Sequence, residues 1–414
     1  MPELYKYQAD AVETLLGGKH LCIATMGAGK GAISLHWAHA QGKQRVLVIT
    51  TASKRDVKDE LGHNDFEAEA DMWFPGWRES LSSFETISWA GLVKWTERNL
   101  ANIQDYAIIA DEVASMRAGV GSQRGRAFLK IAARTNCWTG YTGTPGDSWM
   151  DMYAYFIATG KLRNKTQFIR DFCQTQTFKG YMEIVGYNRT DILRGWWNEI
   201  ADTVDTSAME AELPKSNHEV INFKLPVEYK TVVKTHCKPS GELIETVGGM
   251  CACLRRLCFT DAKKRWIKDF LETVGDQVVF FYNFTDTGNE LEELAKSVLP
   301  KGARVWRVDG QRHEIPTADT MGERDIVIAQ WQAGAMGLNL QWMNRWVSVE
   351  PHYSYSISSQ ARGRIRRIGQ TRPQFYYYMC CKDGIEKDVY KALGAKSTFA
   401  EDTWALQNNL IEEK

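Results

Sequence analysis

The sequence predicts an α/β protein of two parallel-sheet units with a helical insert between them. Three observations carry the prediction. Short runs that are apolar throughout, such as RVLVIT (45–50) and YAIIAD (106–111), alternate with stretches of helical periodicity, the pattern of parallel strands buried on both faces. The alternation returns near the C-terminal end with QVVFFYNF (277–284), ARVWRVDG (303–310), RDIVIAQ (324–330), RWVSVEP (345–351) and QFYYYMCC (374–381). Between the two sets, residues 146–265 are richer in aromatic and helix-patterned segments, MDMYAYFIATG and LRGWWNEIADTV among them. A chain of 414 residues has room for two or three domains of about 100–200 residues each. The expected divisions are 1–150, a helical and mixed connecting region at 151–262, a second unit at 263–405, and a tail at 406–414.

Taken in order, residues 3–16 form a helix with Leu4, Tyr7, Ala11, Val12 and Leu15 on one face. Leu21 to Ala24 then make a short buried strand. It runs into Gly27-Ala28-Gly29-Lys30, and Ala32, Ile33, Leu35, Trp37 and Ala38 continue as a helix. Strand, glycine turn with lysine, and helix is the layout of a phosphate-binding loop. Glycines let backbone N–H groups curl round an anion, the helix N-terminus adds partial positive charge, and Lys30 adds a full one. The same residues would also make a tight strand-to-helix turn. After the lysine this motif carries Ser or Thr to bind Mg²⁺; here Gly31 stands there, with Thr25 and Ser34 the nearest hydroxyls in sequence. ETISWAGLV (85–93) reads as a further strand, and YAIIADE as a strand ending in Asp111-Glu112. TNCWTGYTGTP (135–145) reads as a strand closed by a turn, and EVINFKLPVEY (219–229) as an exposed strand. Helices are expected at Thr287 to Leu299 and Ser358 to Ile368.

Two constellations join the glycine loop. In open α/β sheets the carboxyl ends of strands carry the ligand, so Asp111 can hold Mg²⁺ and Glu112 can deprotonate water; a solvated acidic pair is the alternative. Further on, QARGRIRRIGQ (360–370) on a helix would put Gln360, Arg364 and Arg367 on one face, suited to a γ-phosphate, and Arg362 and Arg366 on another. A basic helix against nucleic-acid backbone, or merely solvated, is the alternative.

Equal numbers of basic and acidic residues, 51 each, mean that any basic groove must be local. No apolar run approaches the roughly 18 residues of a membrane span, so no membrane partner is expected. The nine Cys lack paired metal spacing, including Cys237, Cys251, Cys253 and Cys258, and read as thiols of a reducing cytoplasm. Several of the 15 Trp, such as Trp37, Trp306 and Trp346, lie in apolar segments and read as core residues.

In this order and spacing the motifs resemble those of superfamily 2 helicase-like ATPases, specifically the Swi/Snf-like DNA translocases in a compact bacterial or phage form. The resemblance covers most of residues 4–390. LYKYQADAV looks like the Q motif, MGAGKG like motif I, RVLVITTASKRDVKDEL like motif Ia and ADEVASMRAGVGSQRGRAF like motif II with its following segment. TGYTGTP looks like motif III, VVFFYNFTD like IV, GAMGLNLQWMNRWVSVEP like V and QARGRIRRIGQ like VI. The resemblance implies two RecA-like lobes with a nucleotide cleft between them, and ATP and Mg²⁺ as cofactors. It gives Gln8 the adenine, Gly27, Gly29, Lys30 and Gly31 the phosphates, and Asp111 the metal. Glu112, Gln360, Arg364 and Arg367 become the hydrolytic residues, and Thr142 and Thr144 couple hydrolysis to lobe movement. Thr51, Ser53, Lys54, Arg55, Ser88, Thr285 and Asn339 fall in segments that touch DNA backbone in the family. The implied protein is a monomeric, cytoplasmic DNA-dependent ATPase of a bacterium or phage-infected cell. It would translocate on duplex or branched DNA with little sequence specificity, in replication, recombination or repair. Two residues depart from the pattern: Gly31, and Ala114 in place of the motif II His. Gly31 motivates a second reading, a nucleotide-controlled DNA-binding protein with weak or absent ATPase. On the first reading, Gly31→Thr keeps or raises activity.

Overall fold

The computed structural model describes residues 3–395 and 399, except 26, 57, 59, 60, 147, 179, 180, 313, 336, 337 and 368. The expected tail at 406–414 lies outside the described residues. The chain forms two compact units, Met1–Glu210 and Ala211–Lys414.

The first unit is built on β1 (Leu21–Ile23), β2 (Arg45–Thr50), β3 (Ser83–Ser88), β4 (Tyr106–Asp111), β5 (Trp138–Thr142) and, after the antiparallel hairpin β6 (Cys173–Phe178) and β7 (Tyr181–Tyr187), β8 (Ala201–Thr203). Its six-stranded sheet has the order β3-β2-β4-β5-β1-β8, parallel throughout. Alternate residues serve opposite faces. Val46, Val48, Ala107 and Ile109 pack under the helices Lys6–Leu16, Lys30–Ala40 and Asp65–Trp73. Leu47, Ile49, Ile108 and Ala110 pack against the helices Leu92–Asn99, Gln123–Ala132 and Trp149–Ala158. Continuous apolar runs are what burial on two faces requires. The strand expected at 85–93 stops at Ser88, because Gly91 N closes a turn on Ser88 O (2.9 Å) and a helix starts at Leu92.

The second unit contains β9 (Ser216–Phe223), β10 (Val278–Tyr282), β11 (Val305–Val308), β12 (Ile326–Gln330), β13 (Arg345–Ser348) and β14 (Gln374–Cys381). They pair in the order β11-β12-β10-β13-β14-β9, again all parallel. The α/β architecture of two parallel sheets is thus as the apolar runs predict. The region expected as a connection, 151–262, divides between the units: 151–210 with the first and 211–262 with the second. The reason is strand pairing. β8 completes the first sheet beside β1, and β9 completes the second beside β14.

The helix expected at Ser358–Ile368 is shorter and shifted, Tyr355–Arg362. Gly363 ends it, with its N–H on Ser359 O (3.1 Å), and Arg364 N turns onto Ala361 O (3.2 Å). Gln360 therefore shares a helix with Arg362 but not with Arg364 or Arg367, and the one-face argument for that trio does not hold.

One charged pair lies wholly inside the second unit. Lys263 Nζ donates to Glu386 Oε1 (2.8 Å), Glu386 Oε2 (3.0 Å) and Val349 O (2.9 Å), while Glu386 Oε2 also accepts from Cys381 N (2.8 Å). Both residues are fully buried. Burial works to lower the Lys263 pKa, and the facing Glu386 carboxylate reverses this and raises it. Removing one partner leaves an uncompensated buried charge, so Glu386→Gln should cost about 3–5 kcal/mol in denaturant unfolding of the full chain. The double change Lys263→Met with Glu386→Met should recover part of that loss, since no lone charge remains.

Candidate functional site

The loop after β1 is shaped by glycines at positive φ, 82° at Gly27 and 72° at Gly29. Gly29 caps the helix Lys30–Ala40, and a Cβ there would collide with the Gln8 amide nitrogen. That amide is engaged at both ends: Nε2 donates to Ala28 O (3.1 Å) and Oε1 accepts from Tyr5 N (3.0 Å). Gln8 thus braces the loop from the first helix. Lys30 Nζ folds back into the loop, donating to Ala24 O (3.0 Å) and Thr25 O (2.9 Å). Desolvation takes its pKa down to about 8, against the attraction of Glu112 and Asp111 and with the repulsion of Lys54.

Asp111 ends β4 beside this loop. Its Oδ2 accepts from Thr50 Oγ1 (2.7 Å) and Lys54 Nζ (2.8 Å), and Trp89 Nε1 donates to its backbone carbonyl (2.8 Å). Burial would raise the Asp111 carboxyl, but Lys54, Thr50 and Lys30 together hold it below the usual range. It is therefore a carboxylate that already faces a cation. Glu112 follows in the left-handed region (φ 50°), a turn that swings its side chain from the strand line to β5. There Thr142 Oγ1 donates to Glu112 Oε1 (2.8 Å) and accepts from Thr144 N (3.1 Å). The acid, the buried strand-end threonine and the turn after it form one hydrogen-bonded chain.

Sequence reasoning passed over Glu69. It sits on the helix Asp65–Trp73, whose start is fixed by Asn64: its side chain accepts from Phe66 N and Glu67 N, and Glu67 Oε2 accepts in return from Asn64 N (2.9 Å). Phe66, Ala70 and Trp73 are the buried face, and Glu69 lies on it, three residues from Phe66 and four from Trp73. A Cβ at Gly31 would collide with Glu69 Oε2 and stand 2.8 Å from its Cδ. Desolvation pushes the Glu69 carboxyl up to about 7, with Lys54 opposing. An acid in the apolar stripe of an amphipathic helix was the available signal. The hydroxyls considered earlier are committed elsewhere: Ser34 Oγ donates to Gly31 O (2.7 Å), and Thr25 Oγ1 pairs with Thr206 Oγ1 (3.0 Å). The Asp111 and Glu69 carboxylates are oxygen donors of the kind a hard divalent cation takes, and a cation on Asp111 Oδ2 would displace the Lys54 ammonium now bonded there.

Of the other expected residues in this unit, Thr51 begins the turn after β2, and its carbonyl accepts from Arg55 N (3.2 Å). Lys54 is bound to Asp111, and Arg55 donates to Ser88 Oγ (3.1 Å) and to Asp56. Ser88 is buried. Ser53 lies in the helix Ala52–Asp56, and its side chain is outside the described set.

In the second unit Arg364 is buried, donating to Leu338 O (2.9 Å) and Ala335 O. Arg367 is half-buried; its Nε reaches Gly363 O (3.3 Å) and its Nη1 Asn339 Oδ1 (3.5 Å). Asn339 and Thr285 are exposed, and Gln360 is half-buried. Among the described residues, the group spaced for a metal ion is Cys258, Cys381 and Glu386, and the Lys263 ammonium already occupies the Glu386 carboxylate.

Residues 262–369, all in the second unit, match the helicase conserved C-terminal domain. The chain is similar to the DNA repair protein RAD5 of Saccharomyces cerevisiae, 27% identical over 31% of this chain and 12% of the relative. It is similar to a RAD54-like DNA repair and recombination protein of Drosophila yakuba, 27% identical over 34% of this chain and 18% of that protein. An uncharacterized ATP-dependent helicase of Bacillus subtilis, YqhH, is 26% identical over 33% of this chain and 24% of its own length. The matched stretch therefore spans under a quarter of each of these relatives. No described helix is long and apolar enough to cross a membrane.

The Lys30 pKa has a measurable consequence. Below about 8 the ammonium is present and attracts an anion; above it the neutral amine does not, so polyphosphate affinity should fall as pH rises from 7 to 9. A bound polyphosphate restores the proton. At pH 8.5, calorimetry in buffers of differing ionisation enthalpy should therefore show proton uptake on binding, and Lys30→Arg should abolish it.

Proposed function

We propose that the chain is a superfamily 2, Swi/Snf-like helicase-family ATPase, and that it is a DNA-dependent ATPase coupling hydrolysis to movement along duplex or branched DNA in repair, recombination or replication. The observation that carries the reading is the gathering of Lys30, Asp111, Glu112 and Thr142 at the carboxyl ends of β1, β4 and β5 in one parallel sheet.

On this reading the Gly27–Gly31 loop and Lys30 take the β- and γ-phosphates. Asp111 holds Mg²⁺, which when bound neutralises charge on the phosphates. Glu112 accepts the proton of the attacking water. Because Thr142 Oγ1 donates to Glu112 and accepts from Thr144 N, a change at the acid is felt by the turn after β5. Those two threonines are the coupling element. Gln8 reads adenine by exchanging one of its present partners. Gln360, Arg364 and Arg367 stabilise the transferring phosphoryl group. Arg364 holds the carbonyls of Ala335 and Leu338, and Arg367 reaches Gly363 O and Asn339 Oδ1, so each would exchange a present partner for phosphate. Thr51, Ser53, Lys54, Arg55, Thr285 and Asn339 belong to the surface for DNA backbone, which positions the duplex without reading its sequence, while Ser88 is buried and its part is to hold Arg55.

Gly31 supports a second reading, a nucleotide-controlled DNA clamp with little turnover. ATP turnover measured without DNA and with single-stranded, duplex, forked and four-way DNA separates them. The ATPase reading expects stimulation by duplex or branched DNA; equal rates with and without DNA refute the coupling, and tight ATP binding without turnover favours the clamp. Lys30→Ala should abolish turnover. Arg367→Ala should lower kcat by about 1,000-fold or more if it neutralises the transition state, and an unchanged rate removes it from the site.

A further inference from the structure

Resting on the nucleotide reading of the first unit, we infer that Glu69 replaces the missing motif I hydroxyl as the second protein ligand, with Asp111, of the nucleotide's divalent cation. Three features of the structure converge on it. Gly31 follows Lys30 where the loop would carry a Ser or Thr, and the Glu69 carboxylate fills the space that a side chain at 31 would need. Oε2 lies closest to that position, so a carboxylate oxygen stands next to where a hydroxyl would project. Glycine at 31 is thus the residue that admits Glu69.

The electrostatics agree with the geometry. The Lys54 ammonium bonds Asp111 Oδ2 at 2.8 Å. That ammonium marks the Asp111 carboxylate as a place that takes positive charge, and a bound cation would stand in its position. A divalent cation supplies charge of the same sign at twice the magnitude and prefers oxygen donors. The helix carrying Glu69 is held in place by its Asn64 cap and by Phe66, Ala70 and Trp73 in the core under the Lys30–Ala40 helix, so the carboxylate is presented by a fixed element. The nearest hydroxyls are turned to other partners, Ser34 to Gly31 O and Thr25 to Thr206.

The substitution logic for Gly31 therefore reverses. A threonine at 31 drives Glu69 out of its place, and Gly31→Thr alone exchanges one ligand for another while forcing a buried acid to move. Removing the acid first makes room, so Gly31→Thr with Glu69→Ala restores the hydroxyl arrangement.

The test is binding of Mn²⁺ to the full chain with ADP, followed by electron paramagnetic resonance, beside ADP affinity measured in EDTA. Glu69→Gln, nearly isosteric, should weaken Mn²⁺ in the ADP complex by about tenfold or more, the scale of disturbed metal coordination. It should leave metal-free ADP affinity unchanged. The Gly31→Thr/Glu69→Ala double variant should bind Mn²⁺ more tightly than Glu69→Ala alone. Wild-type Mn²⁺ affinity in Glu69→Gln overturns the inference, as does an equal loss of ADP affinity with and without metal. Failure of the wild-type chain to bind ADP under either condition refutes the nucleotide reading itself. Unchanged thermal unfolding of Glu69→Gln shows that a loss of Mn²⁺ is local.

Discussion

The central strands of a parallel sheet covered on both faces have no room for unpaired charge, and the placement of polar groups in this protein follows from that constraint. Val46 to Ile49 and Ala107 to Ala110 are fully buried, and on these two central strands the polar side chains stand at the strand ends. Thr50 and Ser88 end β2 and β3, Asp111 ends β4, Thr142 ends β5, and the loop to Lys30 follows β1. The strand order β3-β2-β4-β5-β1-β8 sets these ends side by side although they are far apart in the chain. The apolar runs therefore stabilise the sheet and, by excluding charge from it, concentrate charge at one edge.

Concentrated charge in a partly dehydrated edge has to be balanced. Lys30, Lys54, Asp111 and Glu69 act on one another, and their titration shows it: Lys30 is pulled down to about 8, Glu69 pushed up to about 7, and Asp111 held low by its hydrogen bonds and the two lysines. On the proposed reading, an incoming phosphate would favour the Lys30 ammonium and an incoming cation the Glu69 carboxylate. The second unit resolves the same problem by internal pairing. Lys263 with Glu386, and Arg307 with Glu292 and Asp309, are closed among themselves and serve the fold.

Much of the architecture was legible in the sequence because continuous apolar runs and the helices between them are local signals. Boundaries were less so. The β3 strand ends at Ser88 because Gly91 closes a turn, and the helix near 360 ends at Arg362 because Gly363 stops it and Arg364 buries its guanidinium on backbone carbonyls. In both cases a single turn decides, and residue periodicity does not register it. The connecting stretch, read as helical and mixed with a strand at 219–229, supplies that strand as β9 and also β8, three residues whose pairing depends on finding a free parallel edge.

What the sequence by itself determined was the set of chemically loaded residues: the Gly27–Lys30 loop, the Asp111-Glu112 pair, the threonines of β5, and the absence of a hydroxyl at 31. Each is a local pattern of residue types whose spacing carries its meaning. Only the tertiary structure decided which of them meet, and what stands beside them. Lys54 lies on Asp111, Thr142 on Glu112, and Glu69 in the space that Gly31 leaves open. These contacts join residues some 30 to 60 positions apart, and they exist because burying both faces of the sheet brings strand ends and helix faces together at one edge.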